Sequence, residues 1–134
     1  MEPPLSLAIL EHAPDAIIFV DTDEIIRFWN CRAEEVFGYS RTEVLGCPLD
    51  FIIPERLRQA HHDGFRRAVD SGHTRLGGKA LTTRAVHKNG HALYLEIAFG
   101  LVPGTDGAVC GVIASGRDIT ARYLAARAGK NENP

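Results

Sequence analysis

The sequence predicts an α+β domain built on an antiparallel β-sheet with helices covering one face. Two β-rich runs stand near the start, several short helical segments follow, and three further β-rich runs come after them. The turns between the late runs, "KNG" (88–90) and "PGTDG" (103–107), are rich in residues that tolerate positive φ, as hairpins require. Strands at both ends with helices between them give an antiparallel sheet, and the helices must bury one of its faces. At 134 residues the chain holds one domain with a proper core and is too short for two.

"LSLAILEHA" (5–13) reads as a short apolar helix stopped by Pro14. "AIIFVD" (16–21) and "IIRFWN" (25–30) are strands joined at 22–24 in a hairpin. Asn30 is placed to cap the helix "CRAEEVFG", where Glu34 and Glu35 favour the positive end of the dipole and Gly38 closes it. Ser40 and Glu43 form a capping box for another short turn that ends at Gly46. Pro54 suits the first turn of a longer helix to about Asp70, with Ser71 and Gly72 as the stop. Strands are then expected at 75–87, 91–101 and 109–117, followed by a tail that starts helical and ends polar.

Composition limits the function. Apolar content of 45% and charged content of 24% are those of ordinary globular domains. A net charge of -2 gives no electrostatic reason to expect nucleic acid or an anionic membrane as partner. Cys31, Cys47 and Cys110 are odd in number and lack C-x-x-C spacing, which argues against a disulfide framework and a zinc site. The run "AIIFV" is too short to span a membrane, and the acidic, proline-bearing start lacks the basic region of a signal peptide. A soluble cytoplasmic domain is expected. No nucleophile, base and oxyanion donors are set out together, so an enzyme is not expected.

"APDAIIFVDTDEIIRFWNCRAEEVFGYSRTEVLG" closely resembles the opening of PAS domains: strand, acidic turn, a second strand ending in Asn, then a helix closing on G-Y-S. "HKNGHALYLEIAF" is similar to the family's hairpin, with Asn89-Gly90 where Asp-Gly is usual, and "GRDIT" (116–120) resembles its junction to a signalling helix. The resemblance covers about residues 8–122. It implies a PAS fold with a five-stranded antiparallel sheet in the order 2-1-5-4-3 and helices forming a pocket on one face. The chain then divides into an N-terminal helical cap (1–13), the PAS domain (14–120) and the start of a signalling helix (121–134). The implied function is sensing or protein interaction rather than turnover.

The stretch "RQAHHDGFRRAV" (58–69) puts two histidines side by side in an amphipathic helix. At about 100° per residue, Leu57, His61, Gly64 and Ala68 fall within about 60° of one another, with Phe65 beside them. His61 thus belongs to the stripe that faces the sheet. His62 is turned away between Arg58 and Arg66, at the edge or in water. Haem-binding PAS sensors resemble this chain here, with an arginine (Arg58), a ligating histidine three residues later (His61), and a glycine ending the helix (Gly72). In that registration Leu76, Ile97 and Phe99 fall on the apolar distal wall. Leu81 takes the place of the arginine that stabilises oxygen in relatives. Three readings of His61 stand at this point: a packed core histidine, the proximal ligand of haem iron, or part of another small-ligand pocket.

"NCR" (30–32) is similar to the flavin-adduct motif of light-sensing relatives but lies before the G-Y helix, and Cys47 lacks the motif's neighbours, which argues against flavin. Trp29 reads as packing, and Asp21, Asp23 and Glu24 as a turn cluster. Ile119, Tyr123 and Ala126 repeat at helical spacing, an apolar stripe expected to pair in a homodimer with help from Leu5, Leu7, Ile9 and Leu10. Asp118, beside Arg117, is expected to cap the helix starting at Thr120. These three positions form the expected signalling junction. An effector, whether histidine kinase, cyclase or transcription regulator, is expected beyond Pro134 or on another protein.

Overall fold

The computed structural model describes residues 4–74 and 77–132. Helix α1 (Leu5–Glu11) precedes the hairpin of β1 (Ala16–Asp21) and β2 (Ile26–Trp29). Helices α2 (Cys31–Phe37) and α3 (Arg41–Val44), two 3-10 turns (Leu49–Ile52 and Glu55–Leu57) and α4 (Arg58–Ser71) follow. Strands β3 (Leu81–Val86), β4 (Ala92–Pro103) and β5 (Val109–Asp118) complete the sheet, and α5 (Thr120–Glu132) leaves it. The sheet is antiparallel throughout, with spatial order β2-β1-β5-β4-β3.

Strand alternation sorts the two faces. In β1, Ala16, Ile18 and Val20 are buried while Ile17, Phe19 and Asp21 are only partly so. The register places Val112 and Ala114 of β5 beside Val20 and Ile18, and Leu101 and Phe99 of β4 beside those in turn. This face and the helices enclose the core, in which Ile26, Trp29, Ala33, Phe37 and Val44 are almost wholly sequestered.

Asn30 is the buried polar hub. Its Oδ1 accepts from the N–H of Ile17 at 2.9 Å and of Ala33 at 3.0 Å. Its Nδ2 donates to the carbonyls of Leu10 at 2.9 Å and Asp15 at 3.0 Å. The cap read from sequence therefore also fastens α1 and the entry to β1, and every hydrogen-bonding position of the amide is used. The capping box at Ser40 and Glu43 is present, and Gly38 and Gly72 end α2 and α4 in the left-handed conformation.

Three expectations need correction. The strand expected at 75–87 starts only at Leu81, because Gly77 and Gly78 adopt φ of 58° and 86° and turn the chain first. The helix expected from Pro54 begins as a 3-10 turn and becomes α-helical at Arg58. The stripe on the C-terminal helix is partly used by the domain itself. Ile119 is buried, and the Tyr123 ring stacks on Tyr94 with centroids 4.0 Å apart. Position 76, expected on the distal wall, lies outside the described residues.

Candidate functional site

Between α4 and the inner face of the sheet lies a cavity of about 580 Å³, a size suited to a small-molecule ligand. Helix α4 supplies His61, Gly64 and Phe65 to its wall, and Leu57 precedes them from the 3-10 turn. The sheet supplies Leu81, Ile97 and Phe99 opposite. All the expected cavity residues that are described thus surround one space. A Cβ added at Gly64 would meet nothing within 4 Å, so the helix wall is open there.

The two histidines part as the periodicity requires, but neither is isolated. His61 faces the cavity, and its Nε2 is buried without a hydrogen-bond partner among the described residues. The nearest charge is Glu24, whose Oε1 stands 3.4 Å from Nε2 and is likewise buried without a hydrogen bond. His62 is not merely solvated. Its Nδ1 lies 2.6 Å from Glu24 Oε2, and its Nε2 lies 3.1 Å from Asp50. Burial pushes the His61 imidazole below its ordinary pKa, with Glu24 pulling the other way. The hydrogen bond to Glu24 raises that of His62. His61 is thus the histidine favoured in the neutral form, the form that ligates metal.

Glu24 is the residue that the turn-cluster reading missed. It sits in the β1–β2 turn at φ 62°, a conformation costly for a residue with a side chain, and reaches across to α4. Thr83 was also missed, although its place between Leu81 and Ala85 on an alternating strand puts it on the cavity face. Among the described cavity-lining residues there is no cysteine. Cys31 contacts Glu11 and Arg41 beside α1, and the Cys47 thiol donates to the Glu43 carbonyl. Trp29 is packing: its indole N–H donates to the Tyr39 carbonyl and its ring meets Phe37 and Phe51.

The C-terminal junction is bonded to the sheet. Asp118 Oδ1 accepts from the Thr120 N–H at 2.8 Å and from its hydroxyl at 2.5 Å. The Thr120 Oγ1 in turn accepts from the Tyr94 N–H at 3.0 Å, and the Ile119 N–H donates to the Tyr94 carbonyl at 2.8 Å. Arg117 pairs with Asp15 at 3.1 Å, at the entry to β1. One strand, β4, therefore carries cavity residues on its inner face and the anchor of α5 at Tyr94.

A family profile for the PAS fold matches residues 10–124. The oxygen sensor protein DosP of Escherichia coli (strain K12) is 30% identical over 95 residues, which is 71% of this chain and 12% of that protein. The sensor protein FixL of Bradyrhizobium diazoefficiens is 26% identical over 93 residues, 69% of this chain and 18% of that protein. Among solved structures, the PAS domain of a Colwellia psychrerythraea protein superposes with a TM-score of 0.76 at 24% identity, covering 87% of this chain and 96% of that one. Among the described residues no helix is long and apolar enough to cross a membrane. With the sheet order, the Asn30 cap, the cavity under α4 and the profile match in agreement, the chain belongs to the PAS fold family.

Proposed function

We propose that this PAS domain is a haem-based gas-sensing module in which His61 supplies the axial nitrogen. The observation that carries the reading is His61 itself: a residue of the wall of a largely apolar cavity whose Nε2 is buried without a hydrogen bond, 3.4 Å from Glu24 Oε1. An unpaired buried polar atom costs about 1–3 kcal/mol, a cost that coordination would remove. The residues fit the group. Gly64 leaves open space on the helix side, while Leu57, Phe65, Ile97 and Phe99 provide an apolar surround for a flat macrocycle. Haem, when bound, would supply a reversible coordination position for a diatomic gas. The similarity to an oxygen sensor protein supports the same reading.

The chain's own residues provide the output. A ligand pressing on Ile97 and Phe99 acts on β4, the strand that anchors α5 through Tyr94, Ile119 and Thr120. A change in that strand's packing biases the direction of α5 and so reaches an effector domain, of the kinase, cyclase or transcription-regulator kind. Helix α1 presents Leu5 and Ile9 to solvent and serves as the surface for a second copy.

Titration of the purified apoprotein with haemin, followed by Soret absorption, tests the reading. Wild type and His62→Ala should give the same saturable band, and His61→Ala should lose it. Equal bands from both variants overturn the assignment of His61. A wild type that takes up no haem overturns the haem reading and leaves His61 as a packed core histidine.

A further inference from the structure

We propose that the cavity selects ligands with an acidic edge, and that Lys79 receives the carboxylate, with Thr74 of the same lining as a second polar contact. The inference rests on the cavity being a ligand site, as proposed above, but not on iron. Lys79 and Thr74 line the cavity from either side of the turn between α4 and β3. Gly77 and Gly78 make that turn with φ of 58° and 86°, and a Cβ on either would touch nothing within 4 Å. Their role is conformational, bringing the chain back so that Lys79 joins the wall.

The charge balance is one-sided. Among the described cavity-lining residues none is Asp or Glu. Lys79 has no ion pair or hydrogen bond among the described residues, whereas Lys88 is paired with Glu43 at 2.6 Å. Arg84 also borders the cavity, but its guanidinium lies 5.4 Å over the Tyr94 ring, which is committed to α5. Among the described residues that leaves Lys79 as the uncommitted cation bordering an apolar space, with the Thr74 hydroxyl before the same turn and the Thr83 hydroxyl on β3. A few convergent polar groups in such a space fix a ligand's orientation. The matching ligand has a large apolar body and a carboxylate at one side.

Metal-free protoporphyrin IX and its dimethyl ester test this without any iron ligation. Both are titrated against the full chain, and quenching of its single tryptophan, Trp29, reports binding. Wild type should bind the diacid about threefold or more tightly than the diester, as one partly exposed ion pair provides. Lys79→Glu should abolish that preference and Lys79→Arg should retain it. A preference unchanged in Lys79→Glu, or absent from the wild type, overturns the inference while the His61-dependent Soret band leaves the haem reading standing. A wild type that binds neither porphyrin overturns this inference and the cavity reading together.

Discussion

On the proposed haem reading, Leu81 would govern how the cavity treats different gases. It lines the cavity from β3, opposite Ile97 in the strand register, and carries no hydrogen-bond donor. Oxygen draws more on a donor than carbon monoxide does, so the haem-loaded domain should favour carbon monoxide. Leu81→Arg places a charged donor there, and such a bond contributes about 1.5–3 kcal/mol. Oxygen affinity should rise about tenfold or more, with carbon monoxide affinity far less changed. Equilibrium titration with both gases checks this, and an unchanged oxygen affinity contradicts it. The division between His61 and His62 was legible in the sequence because helical periodicity is local. Glu24 was not legible. It meets His62 across 38 positions of sequence, and only the folded hairpin brings the two together.

At the level of the element, caps and junctions carry two predictions. Glu43 accepts from the Ser40 N–H in the capping box and pairs with Lys88. The bond from Lys88, followed by that from Ser40, lowers its pKa to about 2 from 4.5. A carboxyl with a depressed folded-state pKa contributes stability above its unfolded value and loses it as pH falls through the folded one. Glu43→Gln should therefore lower the Tm at pH 7, and the difference from wild type should close between pH 4.5 and about 2. A pH-independent difference would assign the effect to packing instead. Asp118→Ala removes the acceptor of the Thr120 N–H and hydroxyl at the start of α5. It should cost about 1 kcal/mol in urea unfolding while leaving the fold intact. Outright unfolding would make Asp118 a core element rather than a junction residue. Both caps were readable because a cap is written within a few residues. The late start of β3 was missed, although the adjacent Gly77 and Gly78 mark a turn ahead of it. The stacking of Tyr123 on Tyr94 was not readable, because it depends on where α5 leaves the sheet.

Across the whole molecule, several large apolar side chains of the described residues stand exposed, most of them on α1. Leu5 and Ile9 on α1 are 74% and 61% exposed, and Leu124 on α5 is 50% exposed. Helix α1 is nonetheless fastened: Glu11 pairs with Arg41 at 2.5 Å, and the Leu10 carbonyl accepts from Asn30. A held helix with an exposed apolar face is suited to self-association. Sedimentation should show a dimer, and Leu5→Glu with Ile9→Glu should shift it to monomer without touching the Glu11 or Leu10 contacts. A strict monomer at high concentration would contradict this. The sheet order was legible through the family resemblance, whereas the cavity's depth and the path from β4 to α5 come from packing that no local pattern encodes.

The central claim, that His61 holds haem from α4, is tested most directly by chemical rescue. His61→Gly removes the imidazole and leaves space beside Gly64, where nothing approaches within 4 Å of an added Cβ. Resonance Raman of the reduced, haem-loaded protein should show an iron–histidine stretch in wild type and in His62→Gly. The stretch should be absent from His61→Gly and return when free imidazole is added. A stretch that survives in His61→Gly, or one lost from His62→Gly instead, would contradict the account.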